Sequence, residues 1–415
     1  MTNDLLKKTL RQTQFQQSSL LLLSTIAGMG LSFLNSILVA RLLGVAAYGD
    51  FKFIQTVWVF ISLISSFGFF HAVSRAIVVE TDPKTIAEIT GASFLITIGI
   101  STLMTLASVL LARPLDLIFN IHLSGFFLAL SPLLAAYSLQ SILPLILQAN
   151  NRIGLLAMFT TLPQLLNVTI TASMLYCGIS SIVWVTVAQL GPVLLVGLIV
   201  FKWLNPTLEN IPASLSKIRK QNKNYGLDIF KGSLGAVGAS QINRLTVAYW
   251  VDNTALGFLS LAIVLTEPLK LLPNVVATSS FRRFAGQKKI SSRIVQISIF
   301  ISITLGIAAI FFYNNFLHII YPQGFESVKF MATALSLGAV LHGFGDFYNR
   351  FLGAQGEGKS IRNSAYLVGL VSIVAALVLP PILGVWGAVL ATLAGNFAYF
   401  LLMLASYFKF RQKEI

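Results

Sequence analysis

FKGSLGAVGASQINRLTVAYWVDNTALGFLSLAIVLTEPLKLLP, running from Phe230 to Pro273, places Arg244, Glu267 and Lys270 inside two consecutive runs that are otherwise apolar enough to cross a bilayer. An ionisable side chain at bilayer depth costs on the order of a few kcal/mol unless it faces a protein interior or a watery cavity. Three such residues in neighbouring spans therefore point to a polar chamber for a ligand; the other reading is that they pair and hold helices together. Internal pairing leaves one charge over, because the stretch carries two cations against one carboxylate.

Outward from this stretch, the whole chain has the same character. Of its 415 residues 56% are hydrophobic and only 10% charged, with mean hydropathy +0.80, far from the roughly 25% charged residues of a soluble domain. This is an all-α integral membrane protein. The net charge of +15 does not indicate nucleic acid, because the cations lie in short segments between long apolar runs rather than on one basic face. The single cysteine, Cys177, excludes an intrachain disulfide and a thiolate metal cluster. Met1 to Gln17 are polar, and the apolar run that follows is too long for a signal-peptide core, so it is expected to be retained as the first span.

With about 20 apolar residues per crossing, about twelve spans are predicted near Ser18–Ala40, Phe53–Phe70, Gly91–Ala112, Leu123–Leu147, Ile153–Cys177, Ile182–Trp203, Ile229–Val251, Ala255–Ala277, Ile294–Tyr313, Phe330–Phe351, Ser364–Leu383 and Val385–Phe408. One alternate set of connections holds 23 Lys and Arg and the other only Arg41, Lys52, Arg113 and Lys329; Arg244 and Lys270 complete the 29. Lys and Arg in short loops are retained on the cytoplasmic side. Both termini are therefore expected in the cytoplasm.

The longest hydrophilic connection, Asn205 to Asp228, carries Lys217-Ile218-Arg219-Lys220 at mid-chain. It divides the chain into an N-terminal six-helix bundle, 1–204, a basic linker, 205–228, and a C-terminal six-helix bundle, 229–415. Ala47-Tyr48-Gly49 matches Ala255-Leu256-Gly257, Asn35 matches Asn243 and Arg75 matches Arg283 at an offset of about 208, and Trp184 and Trp386 open corresponding spans. Repeated halves with an even number of spans are parallel repeats, a common transporter plan around a central cavity.

No phosphate loop, paired-histidine zinc motif or serine elbow is present, and His71, His122, His318 and His342 are scattered. No catalytic residue, metal ligand or resident cofactor is expected. Polar residues within spans describe a transport pathway instead. Lys270 and Glu267 are three apart and share a helix face. If they pair, Arg244 is the cation left for an anion, and its forked guanidinium suits a phosphate or carboxylate. Pro268 either opens a kink toward a cavity or sits in the helix without function. His342, Asp346 and Arg350 form a second stripe at i, i+4 and i+8. Either Arg350 neutralises Asp346, or Asp346, Glu267 and His342 take part in coupling to a proton or sodium gradient. Asn35 and Gln55 occupy the first two spans, which the repeat equates with the seventh and eighth. Arg41 at the mouth of the first is an interfacial anchor or a ligand contact.

The run Asn35-Ser36-Ile37-Leu38-Val39-Ala40-Arg41-Leu42-Leu43-Gly44, then Tyr48-Gly49-Asp50-Phe51, and later Gly68 with Arg75, resembles the opening of bacterial polysaccharide-repeat (O-antigen and capsule) flippases of the multidrug/oligosaccharidyl-lipid/polysaccharide superfamily. Leu352-Gly353-Ala354-Gln355-Gly356-Glu357-Gly358-Lys359 and Gly384-Val385-Trp386-Gly387-Ala388 are similar to that family's later connections. The resemblance implies a multi-pass protein of the bacterial inner membrane, not an enzyme, with two six-helix bundles that alternate in access around a cationic cavity. Its cargo would be an undecaprenyl-pyrophosphate-linked oligosaccharide for lipopolysaccharide or capsule, moved to the periplasmic leaflet. Membrane lipids and the polysaccharide polymerase machinery are its implied partners. The first, second, seventh and eighth spans line such cavities, which places Asn35, Gln55, Arg244, Glu267 and Lys270 there. Here the first span has only Asn35 inside and Arg41 at its end.

Two other classes remain open. A multidrug or metabolite exporter of the same superfamily would need a carboxylate-rich cavity, against the cationic excess here. A membrane-embedded polymerase or glycosyltransferase would need a large catalytic loop, and no loop here is long enough.

Overall fold

The computed structural model describes residues 2–279, 284, 287 and 289–413. Arg282, Arg283 and Lys288 of the basic connections, and with Arg283 one pair of the repeat, lie outside the described residues, as do the side chains of Lys7, Lys8, Arg11 and Lys413.

Every predicted span falls on helix, and no strand occurs among the described residues. The first two spans lie in α1, Thr2–Ser65, which bends at Gly44. With φ 71° and ψ −177° that residue leaves the helical region, a conformation that glycine adopts without the Cβ penalty. A short helix, α2 (Phe69–Val78), completes the second span. Then come α3 (Pro83–Phe119), α4 (Ser124–Ala149, tightened to a 3₁₀ turn at Ser131–Leu134), α5 (Ile153–Tyr176) and α6 (Ile182–Trp203). The linker contains α7 (Ile211–Gln221). After two π-turns, Asn222–Gly226 and Leu234–Gly238, which flank α8 (Leu227–Ser233), the seventh span ends in α9 (Ala239–Trp250). The last five spans are α10 (Asn253–Ser279), α11 (Ser292–Ile320), α12 (Ser327–Ala354), α13 (Gly358–Leu383) and α14 (Val385–Lys413). Nine described helices are long and apolar enough to cross a membrane.

Large apolar side chains cover much of the outside: Leu110, Leu117, Phe300 and Ile382 are each at least 70% exposed. In water such a surface would aggregate, but in lipid it is the ordinary solvent-facing side.

The chain folds as two compact units, Met1–Leu43 with Trp58–Lys231, and Gly44–Val57 with Gly232–Ile415. In the first, Trp58 is fully buried; its indole N–H donates to Ser108 Oγ at 3.1 Å and its ring meets Phe127 edge-on. Ser101 donates to Ser138 at 3.0 Å between α3 and α4. Small polar residues bind helices in this way where lipid supplies no hydrophobic drive. The linker is part of this unit, with Ser214 and Ile218 of α7 buried against it.

In the second unit, α10, α12 and α14 pack around an aromatic core in which Phe284, Phe347 and Phe351 are fully buried and Tyr407 nearly so. The segment Gly44–Val57 belongs here. Gly49 lies against the carbonyl of Asn253, where any Cβ would collide with backbone, and Asp50 accepts from Asn253 Nδ2 at 2.7 Å. The repeat partners Gly49 and Gly257 are themselves in contact.

Candidate substrate cavity of the second unit

Four helices of the second unit, α9, α10, α13 and α14, with His342 of α12, enclose a cavity of about 450 Å³, within the usual range for small-molecule sites. Arg244, Glu267, Lys270 and His342, four of the residues singled out from the sequence, line it together. Lys270 Nζ is 2.7 Å from Glu267 Oε1, so these two largely cancel. α10 runs through Pro268 and Pro273 as continuous helix. Arg244 makes no ion pair among the described residues, and its buried Nε has no hydrogen-bond partner there. Glu267 and Tyr48 are close enough for their charge and dipole to act on it. A half-buried guanidinium with an unused donor can receive an anion from the cavity.

Beside it the wall is neutral and polar. Asn243, one residue before Arg244, donates to Ala388 O and to Thr392 Oγ1, both at 3.0 Å, which fixes α9 against α14. His342 Nδ1 is 3.1 Å from Asn396 Oδ1, and its ring lies 4.8 Å from that of Tyr399. Tyr399 OH donates to Asp346 Oδ1 at 2.9 Å and accepts from Asn349 Nδ2 at 2.8 Å. Asp346, just behind the cavity wall, thus has a tyrosine partner that its own helix did not reveal. Arg350, further along the stripe, is exposed.

The other expected residues are distributed over both units. Asn35 is buried in the first unit, its Oδ1 without a hydrogen-bond partner among the described residues, and Arg41 is exposed there. Gln55 belongs to the second unit and accepts from Lys52 Nζ at 2.9 Å.

Lys52 was expected in an outer connection, but the structure puts it inside α1, half-buried, with Nζ 5.2 Å from the Tyr48 ring and 5.3 Å from Phe51. Arg244 is near enough for its charge to act on both Lys52 and Tyr48, whose buried hydroxyl has no partner among the described residues. The signal was available: Tyr48, Lys52 and Gln55 recur at i, i+4 and i+7, one helical stripe, which Gly44 and Gly49 disguised as a loop. Tyr399 was likewise missed, although Asn396 and Tyr399 share a face three residues apart.

The profile of the family described as "Polysaccharide biosynthesis protein" matches residues 15–285, well over half of the chain. The chain belongs to this polysaccharide biosynthesis family. Solved structures of low identity share the fold. The lipid II flippase MurJ in an inward closed conformation aligns with TM-score 0.72 at 16% identity, covering 96% of this chain and 90% of that one. An inward-facing multidrug resistance MATE transporter of the MOP superfamily aligns with TM-score 0.70 at 14% identity, covering 94% of each chain. A MOP superfamily transporter from Pyrococcus furiosus, described as having a binding pocket of reversed polarity, aligns with TM-score 0.60 at 14% identity over 96% of this chain and 95% of its own. No match is found among curated protein sequences. This polysaccharide biosynthesis protein is therefore a multi-pass membrane protein with the fold of MOP transporters.

Proposed function

We propose that the protein is a flippase that carries an undecaprenyl-pyrophosphate-linked oligosaccharide from the cytoplasmic to the periplasmic leaflet by alternating access. The observation that carries this reading is Arg244, a cation without an ion-pair partner among the described residues, in a cavity whose one lysine, Lys270, is paired with Glu267. Such a cavity is electrostatically matched to an anionic head group, and the amides and hydroxyls of Asn243, Thr392 and Asn396 suit the hydroxyls of a sugar. The family supports a place in polysaccharide assembly, and MurJ, a lipid II flippase, supports a lipid-linked cargo on this fold. In this reading the two halves rock as bundles, the termini and basic connections face the cytoplasm, and the polymerase receives the flipped unit.

The similarity to a multidrug transporter leaves an exporter as the second reading. An exporter of cationic drugs would need an excess of carboxylates, whereas the charged lining here has the opposite balance.

The experiment is a gene deletion scored for surface polysaccharide and for its lipid-linked repeat unit. Loss of the first with inward accumulation of the second, reversed by the wild-type gene, supports the flippase. Normal polysaccharide in the deletion strain would refute it. Full complementation by Arg244→Ala would remove the site assignment while leaving the function standing.

A further inference from the structure

We propose that α7 and the chain beside it bind the head groups of anionic phospholipids at the membrane interface.

α6 is an apolar span that ends at the exposed Trp203, and α7 begins eight residues later. The intervening backbone is tied to the first turns of α3, where Thr207 N–H donates to Ala87 O at 3.1 Å and Lys84 pairs with Glu209 at 3.0 Å. α7 itself is docked through Ser214 and Ile218, with Asn222 just beyond it, all buried at i, i+4 and i+8, and through Lys217, 2.7 Å from Glu80. It is held against the ends of α2 and α3 rather than hanging free as a linker.

The exposed carboxylates nearby are already engaged, Glu80 by Lys217, Glu209 by Lys84, Asp228 by Lys231 at 3.8 Å, and Asp82 by the backbone N–H groups of Lys84 and Thr85 at the start of α3, while Glu88 of α3 is buried. Lys202, Arg219, Lys220 and Lys223 are exposed and make no ion pair among the described residues. Arg219 and Lys223 follow Leu215 at four-residue intervals, so one side of the helix presents two cations and a leucine that is 37% exposed. Trp203, Leu208 and Tyr225 are exposed around it. Cations mixed with tryptophan, tyrosine and leucine form the surface that inserts side chains at the acyl boundary while its charges meet phosphates. A soluble acidic partner would leave these four side chains, Trp203, Leu208, Leu215 and Tyr225, in water. An anionic lipid satisfies both parts.

The test uses the full chain, extracted into detergent containing equal phosphatidylglycerol and phosphatidylcholine and examined by native mass spectrometry for retained lipid. Wild type is expected to hold phosphatidylglycerol in preference, with retention falling in high salt. The triple variant Arg219→Gln, Lys220→Gln, Lys223→Gln should lose that preference by roughly tenfold or more, and the charge-preserving triple Arg219→Lys, Lys220→Arg, Lys223→Arg should keep it. Lys220→Gln alone, a single surface change, carries the test if the triple variant elutes as aggregate. Equal retention of both lipids by wild type, or unchanged preference in the glutamine variants, overturns the proposal. So does displacement of phosphatidylglycerol by millimolar inorganic phosphate, which would assign the surface to a soluble anion.

Discussion

Arg244 is intelligible at the scale of a single side chain. Its guanidinium is half-buried, its Nε is unpaired among the described residues, and the nearest carboxylate is already held by Lys270. A hydrogen bond to a charged group contributes about 1.5–3 kcal/mol, so Arg244→Ala should weaken binding of a pyrophosphate-bearing lipid by at least tenfold, while Arg244→Lys, which keeps charge but loses the fork, should fall between. Binding of the purified protein to an undecaprenyl pyrophosphate by calorimetry reads both, and an alanine variant as tight as wild type excludes the assignment. Lys52 gives a parallel expectation: Lys52→Ala should weaken the same binding, whereas Lys84→Ala, whose amine pairs with Glu209 at the surface, should not. Tyr399→Phe removes the donor to Asp346 and leaves the ring. If that network serves transport, accumulation of the lipid-linked repeat will resemble the deletion strain even though the protein remains folded by thermal unfolding.

At the scale of the element, two contacts have measurable consequences. α1 and α10 approach so closely at Gly49 that a side chain cannot be inserted without moving backbone. Gly49→Leu is expected to cost about 1–3 kcal/mol or more through overpacking and should appear as a lower unfolding temperature in detergent; unchanged stability would show that the crossing is looser than its geometry. The other contact is between α7 and the loop before α3. Lys217, through its hydrogen bond, holds the Glu80 carboxyl below the usual carboxylate range. A depressed acid stabilises the fold above its ordinary pKa and loses that contribution as pH falls through the lowered value. Hydrogen exchange over Ile211–Gln221, corrected for intrinsic rate, should therefore accelerate in strong acid in wild type, and Glu80→Gln should already exchange faster at neutral pH. Equal protection in the two proteins at neutral pH would show that the ion pair does not pin the helix.

For the whole molecule, the proposed flippase needs a source of energy. If a proton or sodium gradient drives it, Glu267 and His342 of the cavity lining and Asp346, bonded to Tyr399, are the groups proposed to exchange the ion with cargo. Transport titrated against pH and against sodium should depend on one of them, with the dependence altered in His342→Gln or Asp346→Asn; a flat response to both removes ion coupling through this network. Efflux of cationic dyes in a pump-deficient strain addresses the exporter reading, and energised efflux would weaken the flippase.

What one dimension carries and what it omits follow from physics. Hydrophobic runs long enough to span a bilayer are a local property, so the helical course of every predicted span was legible, as were the breaks at Gly178 and Gly384. The cost of charge in lipid made Arg244, Glu267 and Lys270 conspicuous, and i, i+3 spacing made the Lys270–Glu267 pair one of the readings, which the structure shows. Partners distant in sequence were not legible. Tyr399 meets Asp346 across 53 positions, Asn253 meets Asp50 across 203, and Lys217 meets Glu80 across 137. Helix packing decides these contacts, and no local period encodes it. For the same reason Lys52 looked like a loop cation until the bend at Gly44 placed its helix in the second unit, and the buried face of the linker, Ser214 and Ile218, emerged only with the fold. The sequence alone determined that this is a helical membrane protein with charge held inside it; only tertiary packing decided which of those charges is left without an ion-pair partner among the described residues.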